Sequence, residues 1–324
     1  IMIEEKINNF LKAPNESINF GNISEINLNE NINIFWGQER VGQLLKGSGI
    51  SSPIAEALNS EFLSSEKKLL VSAKLQNWID ELIKNKLWPL KEGVNEKISA
   101  NVRALQFNIF ENLGTLPIGE FTYFLKSISA EDKNILSKLG IRIGAKYFFV
   151  PNFLKKSSME LSAILWCIFN NIKFDGLLPL PKDGRVSFLS DNEMQKGYWS
   201  AIGYLKLNNF ALRIDVFERI FFIARQKIKI GPFFDSADLM NPAGCNKDQL
   251  KDILLFCGFS FLKFPNDRNL YFFETKKTYL KSQKIKSKKI DLKNKSKSKS
   301  RKIINKSKNS PDPNSPFAVL EKLL

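Results

Sequence analysis

The sequence predicts an α+β protein that is mainly helical: a small N-terminal antiparallel β meander, a helical middle, a winged-helix-like module, and a disordered basic tail with a short terminal helix. Three observations predict it. Apolar residues recur at helical spacing through most of residues 61–172 and 213–256. Short alternating runs bounded by tight turns lie within residues 18–45 and 259–273, and beyond residue 275 apolar patterning gives way to lysines. Of 324 residues, 43% are hydrophobic and 12% aromatic, including 27 Phe, so the body can offset the entropy lost on ordering it.

Residues 1–12 read as a short amphipathic helix broken at Ala13-Pro14-Asn15. Next, Ile23, Ile26 and Leu28, then Ile32, Ile34 and Trp36, then Val41 to Leu45 alternate between tight turns, the pattern of a meander, and with the leading helix they make a module of residues 1–60. Ser64 or Ser65 caps a helix to about Leu87 with Val71, Leu75, Trp78, Ile79, Leu82 and Ile83 on one face. A second helix, at about residues 95–113, stops at Gly114, and the two are expected to pair as an antiparallel hairpin.

Shorter helices follow at about 118–127 and 130–139, the latter with Ser129 and Asp132 at capping-box spacing and Gly140 behind it. Residues 141–150 (IRIGAKYFFV) read as one buried strand, and Ser157 or Ser158 opens an apolar helix to about Asn170. Together these form a helical domain of residues 61–172. The loop-rich stretch 173–191 is the best internal boundary, opening a third module of residues 173–275.

In that module a helix at about 213–226 leads into Lys227-Ile228-Lys229-Ile230, read as a short strand. There follow a short helix at 236–240, a turn at Pro242-Ala243-Gly244, a helix at about 246–256 ended by Gly258, and strands at 259–264 and 270–273. Helix, strand, helix, turn, helix and hairpin is the order of a winged helix-turn-helix, in which the last helix or the hairpin tip contacts nucleic acid.

Charge divides the chain. From Lys276 onward sixteen Lys and Arg stand against Asp291, Asp312 and Glu321, a net of +13 out of the chain's +16, which leaves +3 for residues 1–275. Genome composition alone would spread lysines evenly among carboxylates, so the tract at residues 276–308 reads as a selected polycation, disordered by itself over residues 276–314. The terminal residues 315–324 (SPFAVLEKLL) can form a short amphipathic helix capped by Ser315, with Phe317, Leu320, Leu323 and Leu324 on a stripe, expected to dock on the body or on a partner.

Much chemistry is excluded. There is no histidine, which removes Ser-His-Asp and Cys-His nucleophiles and imidazole acid-base catalysis together. Cys167, Cys245 and Cys257 lack CxxC spacing, which suggests neither a zinc site nor a disulfide framework. A phosphate-cradling GxxxxGK followed by Ser or Thr is missing: Gly37 to Gly42 and Gly42 to Gly47 lack the Lys-Ser/Thr pair, and Gly47-Ser48-Gly49 reads as a turn. No catalytic or metal-binding residue, and no cofactor, is expected in this chain. No apolar run approaches the length of a membrane span and no signal peptide opens the chain, so a cytoplasmic location without membrane attachment is expected. The start at Ile1-Met2, without an initiator Met, suggests a fragment of a longer protein.

The candidate phosphate contacts are therefore cations. On the winged-helix-like module they are Lys227, Lys229, Lys247, Lys251, Lys263 and Arg268. On the tail they are Lys276, Lys277, Lys284, Lys286, Lys288, Lys289, Lys293, Lys295, Lys297, Lys299, Arg301 and Lys302.

Several ordered segments carry a family likeness. KLGIRIGAKYFFVPNFLKK (residues 138–156), GYWSAIGYLKLNNFALRIDVFERI (197–220), LMNPAGCNKDQLKDILLFCGFSF (239–261) and the terminal SPFAVLEKLL resemble the C-terminal region of alphaproteobacterial DEAD/DEAH-type superfamily-two helicases, relatives of the mitochondrial degradosome RNA helicase. The likeness covers most of residues 20–275 and the last ten. It implies an ATP-dependent nucleic-acid helicase whose two motor lobes, with their ATP and Mg, would precede Ile1. Gly140, Arg142, Gly144, Arg213, Asp215, Glu218, Arg219 and Gly244-Cys245 match the family pattern, and their implied roles are structural: turns for the glycines, ion pairs for the Arg, Asp and Glu set. The resulting expectation is a noncatalytic region that binds RNA or DNA; the alternative is a scaffold that binds a protein such as a nuclease.

Overall fold

The computed structural model describes residues 2–23, 26, 32–59, 63–87, 98–173, 178–190, 194–264 and 268–273. The lysine tract, the terminal helix expected at 315–324 and the hairpin tip 265–267 lie outside the described residues. The chain is α+β, and its contacts divide it into two compact units, Ile1–Arg219 and Ile220–Leu324.

The first unit opens with helix α1 (Met2–Lys12) and four antiparallel strands, β1 (Ile18–Asn19), β2 (Ile32–Trp36), β3 (Glu39–Gly49) and β4 (Ser52–Ala57), in the spatial order β1-β2-β3-β4. Period-two alternation places Ile32 and Ile34 of β2, Leu44 of β3 and Ala55 and Ala57 of β4 in the core. The Gly47-Ser48-Gly49 turn is corrected: these residues end strand β3. A Cβ at Gly47 would lie 1.7 Å from the Ser52 carbonyl oxygen, so glycine here lets the next strand fold back at close range.

Helix α2 (Ser65–Leu87) buries Val71, Leu75, Trp78, Ile79, Ile83 and Leu87, and Ser64 Oγ accepts the Lys67 N–H at its start. Its polar side chains close the open edge of the sheet. Gln76 Oε1 accepts the Ala55 N–H at 2.9 Å and Ser72 Oγ accepts that of Ala57 at 3.0 Å, so edge donors of β4 are not left bare. The expected pairing of α2 with the following helix, α3 (Ala100–Glu111), is replaced: α2 packs chiefly on β4 and on α6 (Lys156–Phe169). Helix α6 is buried nearly all round, from Met159 to Cys167, which makes it the natural neighbour for the apolar face of α2.

Between them come β5 (Thr115–Pro117), α4 (Thr122–Ser127), α5 (Ala130–Lys138), β6 (Arg142–Ile143) and β7 (Tyr147–Phe149), with the sheet order β5-β7-β6. The Ser129–Asp132 capping box forms as its spacing requires. The single strand expected over residues 141–150 is instead a hairpin, because Gly144-Ala145-Lys146 turns around a side chain from elsewhere, described below. After α6 the chain forms β8 (Ser187–Leu189), α7 (Lys196–Ala201), β9 (Tyr204–Leu207) and β10 (Phe210–Arg213) in the order β8-β10-β9. One hydrophobic core runs from Phe10 to Ala211, so the expected boundary at 173–191 falls inside this unit.

The division falls within helix α8 (Ile214–Ile230). This helix also corrects the short strand expected at Lys227–Ile230: four alternating residues fit a helix as well as a strand, and Gly231-Pro232 is where the helix must stop. The second unit adds β11 (Phe233–Phe234), α9 (Ala237–Met240), α10 (Lys247–Cys257), β12 (Ser260–Phe264) and β13 (Arg268–Phe272). Asn246 caps α10 in a reciprocal box with Gln249, and Gly258 closes it at φ 94°. Both β11 and β12 pair with β13, which is therefore the central strand of the order β11-β13-β12.

Candidate nucleic-acid interface

The second unit carries all six candidate cations of the body. Three are held by carboxylates. Lys227 Nζ lies 3.0 Å from Asp238 Oδ2, Lys247 Nζ lies 3.9 Å from the buried Asp235 Oδ2, and Lys251 Nζ lies 3.5 Å from Asp248 Oδ1 one turn earlier on α10. The face of α10 that would approach a phosphate backbone is thus close to neutral, with Asp248 and Asp252 among its lysines. Lys229, in the last turn of α8, donates to Gln226 Oε1 at 3.0 Å and is exposed.

The hairpin carries the other two. Lys263 on β12 and Arg268 on β13 are both exposed, and the Arg268 guanidinium lies over the Phe234 ring at 4.2 Å from its centroid. Register gives their faces. Residues directly opposite in an antiparallel pair point to the same side, and neighbours along a strand to opposite sides. Lys263 opposes Asn269, whereas Arg268 opposes Phe264, so the two cations leave the sheet on opposite faces.

The inner face packs on the helices. Phe233 and Tyr271 oppose each other on it; Phe233 meets Phe259 at 5.5 Å between centroids, and Phe259 meets Phe221 of α8 at 6.4 Å. Lys251 of α10 sits over the Phe261 ring on this side at 5.7 Å. The outer face carries Phe234, Leu262, Phe264 and Arg268, around the buried Leu270. Phe234 and Phe264 meet edge to face at 5.6 Å, both half-buried, and Leu262 is 56% exposed. Sequence reasoning singled out none of these outer-face apolar residues. Their signal was present: FSFLKF and LYFF put large apolar residues on both faces of a strand, which a sheet with one buried face does not need.

In the first unit, a second buried constellation involves residues of the family-like set. The Glu218 carboxylate accepts three successive backbone N–H groups, those of Ala145 at 2.6 Å and of Lys146 and Tyr147 at 2.8 Å each. Glu218 therefore does not serve the ion pair expected of it; it fills a nest of backbone donors. Arg213 and Asp215 do pair, through Nε and Nη2 at 2.7 and 2.9 Å, and the Asp215 hydrogen bond raises the pKa of the guanidinium. A cavity of about 280 Å³ lies among Glu111, Glu120, Tyr147, Trp166, Lys196 and Ser200.

Burial pushes the Cys167 thiol up to about 12 and the Cys245 thiol up to about 11, so neither is a thiolate nucleophile at neutral pH. All three cysteines are buried and unbridged. Among the described residues no group of three or more His, Cys, Asp or Glu is placed to hold a metal, and no helix is long and apolar enough to cross a membrane.

No family model, no curated protein and no solved structure matches this chain.

Proposed function

We propose that this chain is a noncatalytic nucleic-acid-binding region serving a superfamily-two helicase, with RNA the expected substrate, and that ATP and Mg act on motor lobes outside this chain. The observation that carries the reading is the segregation of charge: a near-neutral folded body followed directly by a polycation. The second unit supports it. Its order of helix, short strand, two helices and a hairpin, with the first strand paired to the last, resembles that of a winged helix, a fold that meets nucleic acid through a helix or its hairpin.

The pairing of Lys227 at the end of α8, and of Lys247 and Lys251 on α10, with carboxylates weakens these three as phosphate contacts, and the proposed contact includes the exposed hairpin. Lys263, Arg268 and the exposed Lys229 supply its phosphate contacts, and the tract from Lys276 to Lys308 supplies sequence-blind affinity by counterion release. Salt titration of binding to single-stranded RNA tests this. With Z phosphates neutralised, log K falls with log salt at a slope of about −0.7Z, and deletion of residues 276–308 is expected to flatten that slope. The exposed apolar residues of the second unit, Phe222, Ile230 and Leu262 among them, favour the second reading, a scaffold for a protein such as a nuclease. Salt-insensitive capture of a protein by the body, with no RNA binding, would establish that reading instead.

A further inference from the structure

The outer face of the β11-β13-β12 sheet combines features that separately mean little. It presents two half-buried aromatic rings, Phe234 and Phe264, held edge to face at 5.6 Å, with the exposed Leu262 two residues before Phe264 on β12. The Arg268 guanidinium is already laid over the Phe234 ring. Immediately after β13 the sequence turns polycationic, Lys276 and Lys277 following within five residues of Phe272.

We propose that this face is a stacking platform for the bases of a single-stranded nucleic acid. The proposal rests on the nucleic-acid reading above and narrows it to one surface and one class of strand. An apolar face alone would suit many partners. A cation on that face and a polycation leaving the same strand select a polyanion, and among polyanions only an unpaired nucleic acid offers a phosphate chain with free π-faces between its charges. Phe264 takes a base on its ring, Leu262 widens the apolar floor, and the Arg268 guanidinium, held flat by Phe234 beneath it, offers its plane to a second base and its charge to a phosphate. Within a duplex the bases are already stacked on one another and cannot lie on such a surface. Stacking on a ring is tolerant of base identity, so the platform retains strands without choosing sequences.

The test compares binding of the full chain to a short fluorescent oligo(dT) and to the same strand with abasic sites in place of its bases, at equal salt. The expected result is about tenfold or greater loss on the abasic strand, as one or two stacked bases contribute. Phe264→Ala and Phe234→Leu should lose a similar factor on oligo(dT) and nothing on the abasic strand, with circular dichroism spectra and cooperative thermal melts like those of wild type showing that they fold. Phe264→Tyr should keep wild-type affinity for both. Equal wild-type affinity for the two strands would overturn the platform while leaving phosphate binding intact. Binding to neither would overturn the nucleic-acid reading itself.

Discussion

A Cβ placed on Gly144 would lie 2.4 Å from the carboxyl carbon of Glu218. The carboxylate is held there by the N–H groups of Ala145, Lys146 and Tyr147, so it has no freedom to retreat. Glu218 is 9% exposed, and Phe217 beside it packs edge-on against Tyr147 at 5.9 Å. A glycine, three amides and one carboxylate more than seventy residues away together make the turn between β6 and β7.

Glu218→Ala should therefore strip an acceptor from three backbone donors in a buried place, lowering stability by about 3 kcal/mol. Gly144→Ala should also destabilise, by forcing the carboxylate out of its nest. In a double-mutant cycle followed by urea denaturation the two changes are expected to be strongly non-additive, because once the carboxylate is gone the added methyl meets open space. Additive effects would mean that Gly144 is needed for something other than Glu218.

The Ser129–Asp132 capping box predicts a pH dependence. The hydrogen bond from the Ser129 backbone N–H, followed by one from the Ser99 side chain, holds the Asp132 carboxyl below its ordinary value of 3.8. A depressed carboxylate pKa contributes stability that is present above the unfolded-state value and lost as pH falls through the folded-state value. Asp132→Asn should thus be less stable than wild type at neutral pH, and thermal melts of the two should converge as pH drops below 3.8.

Charge reversal separates the hairpin from α10. With residues 276–308 deleted, Lys263→Glu and Arg268→Glu together are expected to weaken RNA binding by about tenfold, and Lys251→Ala, whose ammonium already faces Asp248, by less than about twofold. Anisotropy titrations at fixed salt read this directly. The opposite ranking would return the contact to α10.

The thiols offer a simple check of the core. Cys167 and Cys245, held protonated by burial, and the buried Cys257 should resist alkylation in the native protein at neutral pH and react when it is unfolded. Rapid native labelling of Cys167 would contradict its place inside α6.

The elements that could be read from sequence are those whose start and stop signals are local. Ser129 and Asn246 accept the N–H three residues on, and Gly140 and Gly258 sit at positive φ where their helices end. What escaped depends on partners distant in the chain. The β6–β7 turn needs Glu218, and β4 needs Gln76 and Ser72 of α2. The β9–β10 hairpin carries a local signal, since Asn208 at φ 50° in Asn208-Asn209 is the residue type such a two-residue turn favours. For the candidate interface, residue type revealed the cations but not their company: only the fold brings Asp238 to Lys227 and Asp235 to Lys247.

The place of β13 at the centre of its sheet sets an order of events during synthesis. Neither β11 nor β12 has its β13 partner until residues 268–272 have left the ribosome, so this three-stranded sheet cannot close piecemeal. A ribosome that stalls before Arg268 releases two unpaired strand edges beside exposed phenylalanines, a species prone to aggregate. Stalling or cleavage just past Phe273 is a different matter: the strand pairs among the described residues are complete, and what is lost includes the polycation. One proteolytic cut there thus separates most of the chain's net positive charge from an intact β11-β13-β12 sheet.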